Sequence, residues 1–494
     1  MPFATTRRAA LGQFAAPLLA LGRKTAPPRP NILFIASDDL TSTLGCYGHP
    51  LVKSPGIDAL AARGVRFDRA YCQYPLCGPS RTSLLSGMRP DTTRIWQNEI
   101  AVRDTLPEVV TLPQLFRQHG YYAARFGKMY HMNVPGSVGT NRWDDPASWD
   151  LSVSPPGLEN QTPGEGRNVT PKHGPGVALH WISFAGDGRE QADERAAAAA
   201  EEMIDRNRSN PWFMGLGFLR PHVPLVAPAR FFDLYPLDRI EPVRNPANDR
   251  DDIPRASEAV ILDRANDMGM TTDAEKREAL RGYYAAVSYL DSLVGRVVAR
   301  LEKSGQLERT VIVFWSDHGW HLGEHFRWQK RSLFEESARV PLIVRAPGRR
   351  GNGQVSRALV ELVDLYPTCA ELAGLPPPAT VEGQSFVPVL DRPARAWKTA
   401  AFTQVSSAQG EIVGRAVRTE RYRYIRWEGP YPDEELYDEQ RDPREFTNLA
   451  RDPAHAALVA SQRAVLEAGW RAARASSTPG GAPWRPSPTG PARN

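Results

Sequence analysis

Two apolar runs, far apart in the chain, each end on acids, and together they constrain the fold more than any other feature. Residues 31–37 (Asn-Ile-Leu-Phe-Ile-Ala-Ser) form an unbroken apolar stretch of strand length, followed at once by Asp38-Asp39. Residues 310–315 (Thr-Val-Ile-Val-Phe-Trp) repeat the pattern and lead into Ser316-Asp317-His318-Gly319. A continuous apolar run, rather than an alternating one, is expected of a strand covered on both faces, as in a mostly parallel sheet flanked by helices. Such sheets collect their ligands beyond the carboxyl ends of the strands. Adjacent carboxylates at a buried strand end repel each other unless a cation lies between them, so a hard divalent ion is the natural partner of Asp38 and Asp39. Taken alone, Asp-Asp reads equally well as a solvated turn. Asp317 and His318, at a second strand end, would complete a cage from two distant parts of the sequence.

The rest of the chain alternates between the two periodicities. Residues 65–71, 121–126, 211–218 and 340–345 read as further strands, and 54–62, 113–119, 188–208 and 361–373 as helices. The longest helical pattern is 274–303, with Tyr284, Val287, Leu290, Leu293, Val294, Val297 and Leu301 on one face. Residues 133–187 are rich in Pro, Gly and Asn, which predicts a long, loop-dominated insertion beside the site, and 228–255 is a Pro- and Asp-rich connection. Pro376-Pro377-Pro378 marks a hinge. Beyond it, 400–404, 412–418 and 422–427 alternate as strands of a small antiparallel sheet. Glu435-Leu436-Tyr437-Asp438 and Asp442-Pro443 then read as a turn-rich lead-in to a helix at 454–475. The expected division is an export signal and linker (1–29), a catalytic α/β domain (30–375), an α+β subdomain (376–475) and a disordered tail (476–494).

With 494 residues, 41% hydrophobic and 24% charged, the chain can bury a sizeable core and is not disordered by composition. A net charge of +5 with Lys and Arg scattered among acids gives no basic stripe for nucleic acid, although it favours an anionic substrate. Four cysteines, at 46, 72, 77 and 369, follow neither a metal-binding nor a disulfide-dense spacing. Thr6-Arg7-Arg8, an apolar run over 9–21 and a Pro-rich stretch over 26–30 resemble a twin-arginine export signal, which predicts a periplasmic or extracellular protein. The alternative is a disordered basic tail. That run is too short to span a membrane, and no later segment approaches the required length.

The remaining chemistry gathers around Cys77-Gly78-Pro79-Ser80-Arg81. A cysteine just before Pro-Ser-Arg places a reactive side chain at a helix N-terminus, where free N–H groups and the dipole favour an anion. A lone cysteine there is more often an inert packed thiol. Lys128 and His131, in Gly127-Lys128-Met129-Tyr130-His131, lie just past a strand end. Pro221 and Pro224 hold His222 in an extended connection that suits a side chain presented to a pocket. Lys330 follows the second acidic strand end. Singly, each of these is more often a surface or structural residue.

Cys-x-Pro-Ser-Arg resembles the signature of the formylglycine-dependent type I sulfatases of the alkaline phosphatase superfamily, whose cysteine is converted after synthesis to formylglycine. The resemblance extends over residues 31–449 through Asp38-Asp39, Gly127-Lys128, Ser316-Asp317-His318-Gly319 and Leu436-Tyr437-Asp438. Leu44-Gly45-Cys46-Tyr47-Gly48, Arg89-Pro90-Asp91-Thr92-Thr93-Arg94, Ser288-Tyr289-Leu290-Asp291 and Asp317-His318-Gly319-Trp320-His321-Leu322-Gly323-Glu324-His325 are similar to the iduronate-2-sulfatase branch. Arg220-Pro221-His222 departs from the family's usual Lys-Pro-His, and residues 133–187 do not align convincingly.

The resemblance implies an alkaline-phosphatase-like fold and one Ca²⁺ held by Asp38, Asp39, Asp317, His318 and an oxygen of residue 77. A hydrated aldehyde at that residue would attack sulfur, and its second hydroxyl would expel sulfate. Arg81, Lys128, His131 and Lys330 would surround the sulfate, and His222, or else His131, would protonate the leaving alcohol. The implied partners are a sulfated sugar, such as a 2-O-sulfated uronic acid, and a formylglycine-generating enzyme during maturation. Hydrolysis of phosphate or phosphonate esters, choline or aryl sulfates on the same fold, and an inactive sugar-binding relative, are the alternatives.

Overall fold

Six strands carry the main sheet of this computed structural model, which describes residues 29–159, 161, 164–168, 179–206, 210–262, 272–407 and 409–475. They are β1 (Asn31–Asp38), β2 (Val65–Tyr71), β3 (Tyr122–Gly127), β4 (Trp212–Pro221), β5 (Thr310–Ser316) and β6 (Arg339–Arg345). The sheet runs in the order β2, β6, β5, β1, β4, β3, and short strands at its two edges bring the total to nine. β1 is parallel to both β4 and β5, and β4 to β3, whereas β6 runs antiparallel to β5 and β2. The expected export segment, up to residue 28, and the tail lie outside the described residues.

The two acid-tipped runs are therefore neighbours. β1 and β5 pair from Asn31 with Thr310 to Ser37 with Ser316, so Asp38 and Asp317 emerge at the same end of the sheet. Every residue of β1, β4 and β5 is buried, as their unbroken apolar sequence requires. Alternate side chains feed two cores. Leu33 and Ile35 join the helices Ala192–Arg206 and Asp273–Lys303 on one face, and Ile32 and Phe34 join Leu112–Gln118 and Leu365–Leu372 on the other. Leu290, Leu293, Val294, Val297 and Leu301 of the long helix are all buried, at about 1.5–3 kcal/mol for each fully buried side chain.

At the end of β3, Gly127 adopts φ +75°, and a Cβ there would lie 2.0 Å from the Gly217 carbonyl oxygen. A side chain would force β3 and β4 apart where Lys128 N donates to that carbonyl at 2.8 Å. The two glycines thus permit the close approach that delivers Lys128 beyond the sheet.

Two expectations change. The 133–187 insertion contains regular structure: Leu151–Val153 pairs parallel with β3, and Glu165–Asn168 and His180–Phe184 join Leu225–Pro228 in a separate three-stranded sheet. The C-terminal sheet has four antiparallel strands, Ala401–Ser406, Val413–Arg418, Tyr422–Glu428 and Asp433–Asp438. The fourth, expected as part of a turn-rich lead-in to the helix, is a regular strand. Its Glu435 is buried, and its carboxylate accepts from Trp427 Nε1 at 2.5 Å and Tyr437 Oη at 2.6 Å, which satisfies it inside the sheet. The helix Ala456–Ala472 packs on this sheet. Among the described residues no helix is long and apolar enough to cross a membrane.

Candidate active site

Successive side chains of a strand point to opposite faces, so two consecutive aspartates do not ordinarily converge. Here β1 ends at Asp38, and Asp39 takes the left-handed conformation, φ 63°, which aspartate tolerates and which re-aims its side chain. Tyr283 Oη donates to the Asp39 carbonyl at 2.8 Å and accepts from Thr41 N at 3.0 Å, fixing that turn. Cys77 opens the helix Cys77–Ser86, and its Sγ lies 3.4 Å from His318 Nε2 and 3.2 Å from Lys330 Nζ. Ligand atoms of Asp38, Cys77, Asp317 and His318 lie within 4.8 Å of one another, and so do those of Asp39, Cys77 and His222.

The cations are arranged around this cluster. Lys330 Nζ donates to Asp39 Oδ1 at 2.7 Å, and Lys128 Nζ donates to Asp38 Oδ2 at 2.5 Å. Arg81 takes a different place from the one expected of a sulfate contact. Its guanidinium is fully buried and binds Asp317 Oδ2 at 2.8 Å, Asp38 Oδ1 at 3.3 Å, and the carbonyls of Lys128, Met129 and Ser37. It stands behind the carboxylates and ties three loops together. The helix N-terminus is also less open than the sequence reading supposed, because Asn98 Oδ1 accepts from Gly78 N at 2.9 Å.

The two histidines are oriented by their neighbours. His222 Nδ1 lies 2.6 Å from the Val223 carbonyl, which leaves Nε2 facing the site, 3.7 Å from Asp39 Oδ2. Arg220 is buried behind it, with Nη1 3.2 Å from the Pro224 carbonyl, so it supports the His222 loop. His131 Nε2 meets Asn133 Oδ1 at 2.9 Å, and its ring packs 5.3 Å from that of Trp143. Asn98, Asn133 and Tyr283 were not anticipated. The two asparagines lie on loops without periodicity, and Tyr283 reads as one more core position of a long helix.

Burial works against every charge here, and the neighbours decide each outcome. Burial pushes the Cys77 thiol up, but Lys330, Lys128 and His318 outweigh it and hold the thiol well below its ordinary range. Burial and Cys77 push the Asp38 carboxyl up, yet Lys128, His222 and Arg81 together carry it below the usual carboxylate range. Asp317 is pushed up to about 7, burial outweighing Arg81. Burial would lower His318, but Asp317 and Cys77 raise it to about 9. Burial lowers His131.

The residues fit a bound calcium ion. Asp39 Oδ2 is buried with no hydrogen-bond partner among the described residues, a costly state for a carboxylate oxygen and one that a cation relieves. Three carboxylates and an imidazole supply a largely hard, oxygen-rich donor set, as Ca²⁺ prefers. A thiol is a poor ligand for such an ion, whereas an oxygen at residue 77 suits it.

Residues 30–375 match the sulfatase family profile, and residues 323–470 match that of the N-sulphoglucosamine sulphohydrolase C-terminal region. The chain belongs to the sulfatase family. This sulfatase is 32% identical to iduronate 2-sulfatase of Homo sapiens over 511 residues, covering 85% of this chain and 91% of that one. It is 30% identical to choline-sulfatase of Rhizobium meliloti, covering 90% of this chain and 87% of the other. Its fold matches the crystal structure of a phosphonate monoester hydrolase of Agrobacterium radiobacter with TM-score 0.74 at 24% identity, over 89% of this chain and 95% of that one. The protein is a sulfuric ester hydrolase with an alkaline-phosphatase-like fold.

Proposed function

We propose that this sulfatase releases sulfate from a sulfated sugar, most simply a 2-O-sulfated uronic acid, using formylglycine made from Cys77 and one Ca²⁺ held by Asp38, Asp39, Asp317 and His318. The observation that carries this reading is the meeting of residue 77 with Asp38, Asp317 and His318 within 4.8 Å. Asp38, Asp39, Asp317 and His318 would hold the ion, which would supply Lewis-acid polarisation of the sulfate ester, and a hydrated aldehyde at residue 77 would supply an oxygen nucleophile where the thiol stands.

The chain's own residues do the rest. Lys128 and Lys330 place two ammonium groups beside residue 77, where they bind sulfate oxygens and stabilise the charge that develops on them. Arg81 holds the Asp38 and Asp317 carboxylates in place from behind, as a positioning residue. His222, with Nδ1 engaged by a carbonyl, directs Nε2 at the site and protonates the leaving alcohol. Burial lowers His131, and its buried Nδ1, which beside Cys77 makes no well-formed hydrogen bond among the described residues, is better suited to accept a hydrogen bond from residue 77 than to donate a proton.

Identity to iduronate 2-sulfatase supports the uronic acid. Near-equal identity to choline-sulfatase supports choline sulfate as a second reading. The twin-arginine segment ahead of residue 29 supports export, and Cys77-Gly78-Pro79-Ser80-Arg81 is the sequence a formylglycine-generating enzyme would modify. The test begins with a peptide mass that establishes aldehyde at residue 77. Sulfate release is then measured from a 2-O-sulfated uronate disaccharide, a 6-O-sulfated hexosamine disaccharide and choline sulfate. Release from the first alone is expected; release from another alone would keep the chemistry and replace the substrate.

A further inference from the structure

The motif after β5 contains a histidine that the active site does not use. His325 is fully buried in a left-handed turn, φ 55°. Its ring stacks on Phe334, with centroids 4.0 Å apart and planes at 21°, and meets Phe446 edge-on. Nδ1 lies 3.2 Å from both carboxylate oxygens of Asp249, which fixes the tautomer and leaves Nε2 as an acceptor. That Nε2 has no hydrogen-bond partner among the described residues.

With Nδ1 engaged by Asp249, Nε2 is the nitrogen left for two neighbouring acids. Ligand atoms of His325, Glu336 and Glu445 lie within 4.8 Å of one another. Glu336 Oε2 is also buried without a hydrogen-bond partner among the described residues. Glu445 is held by Arg423 Nε, 2.6 Å from Oε1, and by Glu335 N, 2.7 Å from Oε2, and each oxygen retains a second lone pair. Burial pushes the Glu336 carboxyl up to about 8, with Glu324, Glu335 and Glu439 adding to it. Burial, with Glu336 and Glu335, does the same to Glu445, also to about 8, against the pull of Arg423. Crowded buried carboxylates facing a free imidazole nitrogen are the situation that a cation resolves.

We propose that His325 Nε2, Glu336 and Glu445 form a second, structural metal site for a divalent ion of the Zn²⁺ or Mn²⁺ class. One imidazole and two carboxylates suit those ions. The Asp249–His325 contact is the carboxylate–histidine arrangement that orients metal-bound imidazoles. The three ligands come from different segments: the loop leading to Lys330, the short helix Glu335–Ala338 before β6, and the chain beyond the C-terminal strand Asp433–Asp438. An ion there would pin the segment bearing Lys330 to the C-terminal sheet, independently of which substrate is cleaved.

The probe is Zn²⁺ added to the full-length enzyme in saturating Ca²⁺, so that the site at residue 77 is occupied. Anomalous diffraction at the zinc edge is expected to show a peak between His325 and Glu336 in the wild type, absent from His325→Gln and Glu336→Gln crystals. In solution, elemental analysis after dialysis should find one more zinc per wild-type chain than in either variant, and Zn²⁺ should raise the melting temperature of the wild type alone. No zinc peak at this place in wild-type crystals, or a peak that survives in both variants, would overturn the proposal.

Discussion

Arg81 Nε lies 2.8 Å from Asp317 Oδ2, and neither side chain is exposed to solvent. The same guanidinium reaches Asp38 and three backbone carbonyls, which only a planar fork with several donors can do. Arg81→Lys leaves a point charge that can satisfy one or two of these partners. Breaking a buried pair of this kind costs about 3–5 kcal/mol. The variant is expected to show a lower urea midpoint and weaker calcium binding, read by denaturation and calcium titration. An unchanged midpoint and calcium affinity, with a raised KM, would return Arg81 to the sulfate.

Removal of the proposed calcium ion is the second test. Asp38 and Asp317 meet His318 and residue 77, Asp39 meets residue 77 and His222, and Asp39 Oδ2 has no hydrogen-bond partner among the described residues. A chelator should abolish sulfate release and lower the melting temperature, with both restored by added Ca²⁺. Asp39→Asn, similar in shape but uncharged, should need about tenfold or more calcium for the same activity, as expected from losing roughly 1.4 kcal/mol or more of ion binding. A melting temperature indifferent to the chelator would remove the ion from the site.

The parts of this molecule that were legible in the sequence are those where one physical demand dominates. Continuous apolar runs marked β1, β4 and β5, because burial on both faces leaves no room for polar alternation. The strand-end places of Asp38 and Asp317 were legible because they close such runs, and that of Lys128 because it follows the shorter apolar run of β3. Asp433–Asp438 was not, since its acids oppose a buried strand and it takes Trp427 and Tyr437, across the sheet and beside it, to satisfy Glu435. Glu165–Asn168 carries no periodicity, and its regularity comes from pairing with His180–Phe184. The place of Arg81 was likewise hidden: its position along the helix was clear, but whether it faces substrate or carboxylate depends on loops far away in sequence.

Acid stability offers a third test, away from the active site. Glu361 is buried and accepts both Arg89 nitrogens, at 2.8 and 2.7 Å, as well as Lys398 Nζ at 2.7 Å. Burial alone would raise its carboxyl, but Arg89 and Lys398 hold it down at about 2, against 4.5 ordinarily. Because the folded value is the lower one, this stabilisation is complete above about pH 4.5 and lost as pH falls towards 2. Its size is about 3 kcal/mol at most. Asp364, which shares Lys398, is pushed the opposite way by burial and by Glu361, so the net loss on acidification is smaller. Urea midpoints should fall across this window in the wild type. Glu361→Gln should start lower at neutral pH and fall less steeply; parallel profiles would count against the assignment.

The last test separates the two histidines by leaving group. An alkoxide is a poor leaving group and needs a proton as the S–O bond breaks, whereas the phenolate of an aryl sulfate departs without one. Positioned proton donors contribute about 10²–10⁴-fold to such steps. His222 presents Nε2 to the site with Nδ1 tied to the Val223 carbonyl, while His131 is tied through Nε2 to Asn133. His222→Gln should therefore lose kcat by about 10²–10⁴ on a sugar sulfate and far less on an aryl sulfate. His131→Gln should slow both substrates by similar factors, because a group that contacts residue 77 serves the attack on either one. Steady-state kinetics on the two substrates decide the matter. If His131→Gln instead produces the large, leaving-group-dependent loss, the acid is His131, and the Val223 carbonyl serves only to hold His222 in its loop.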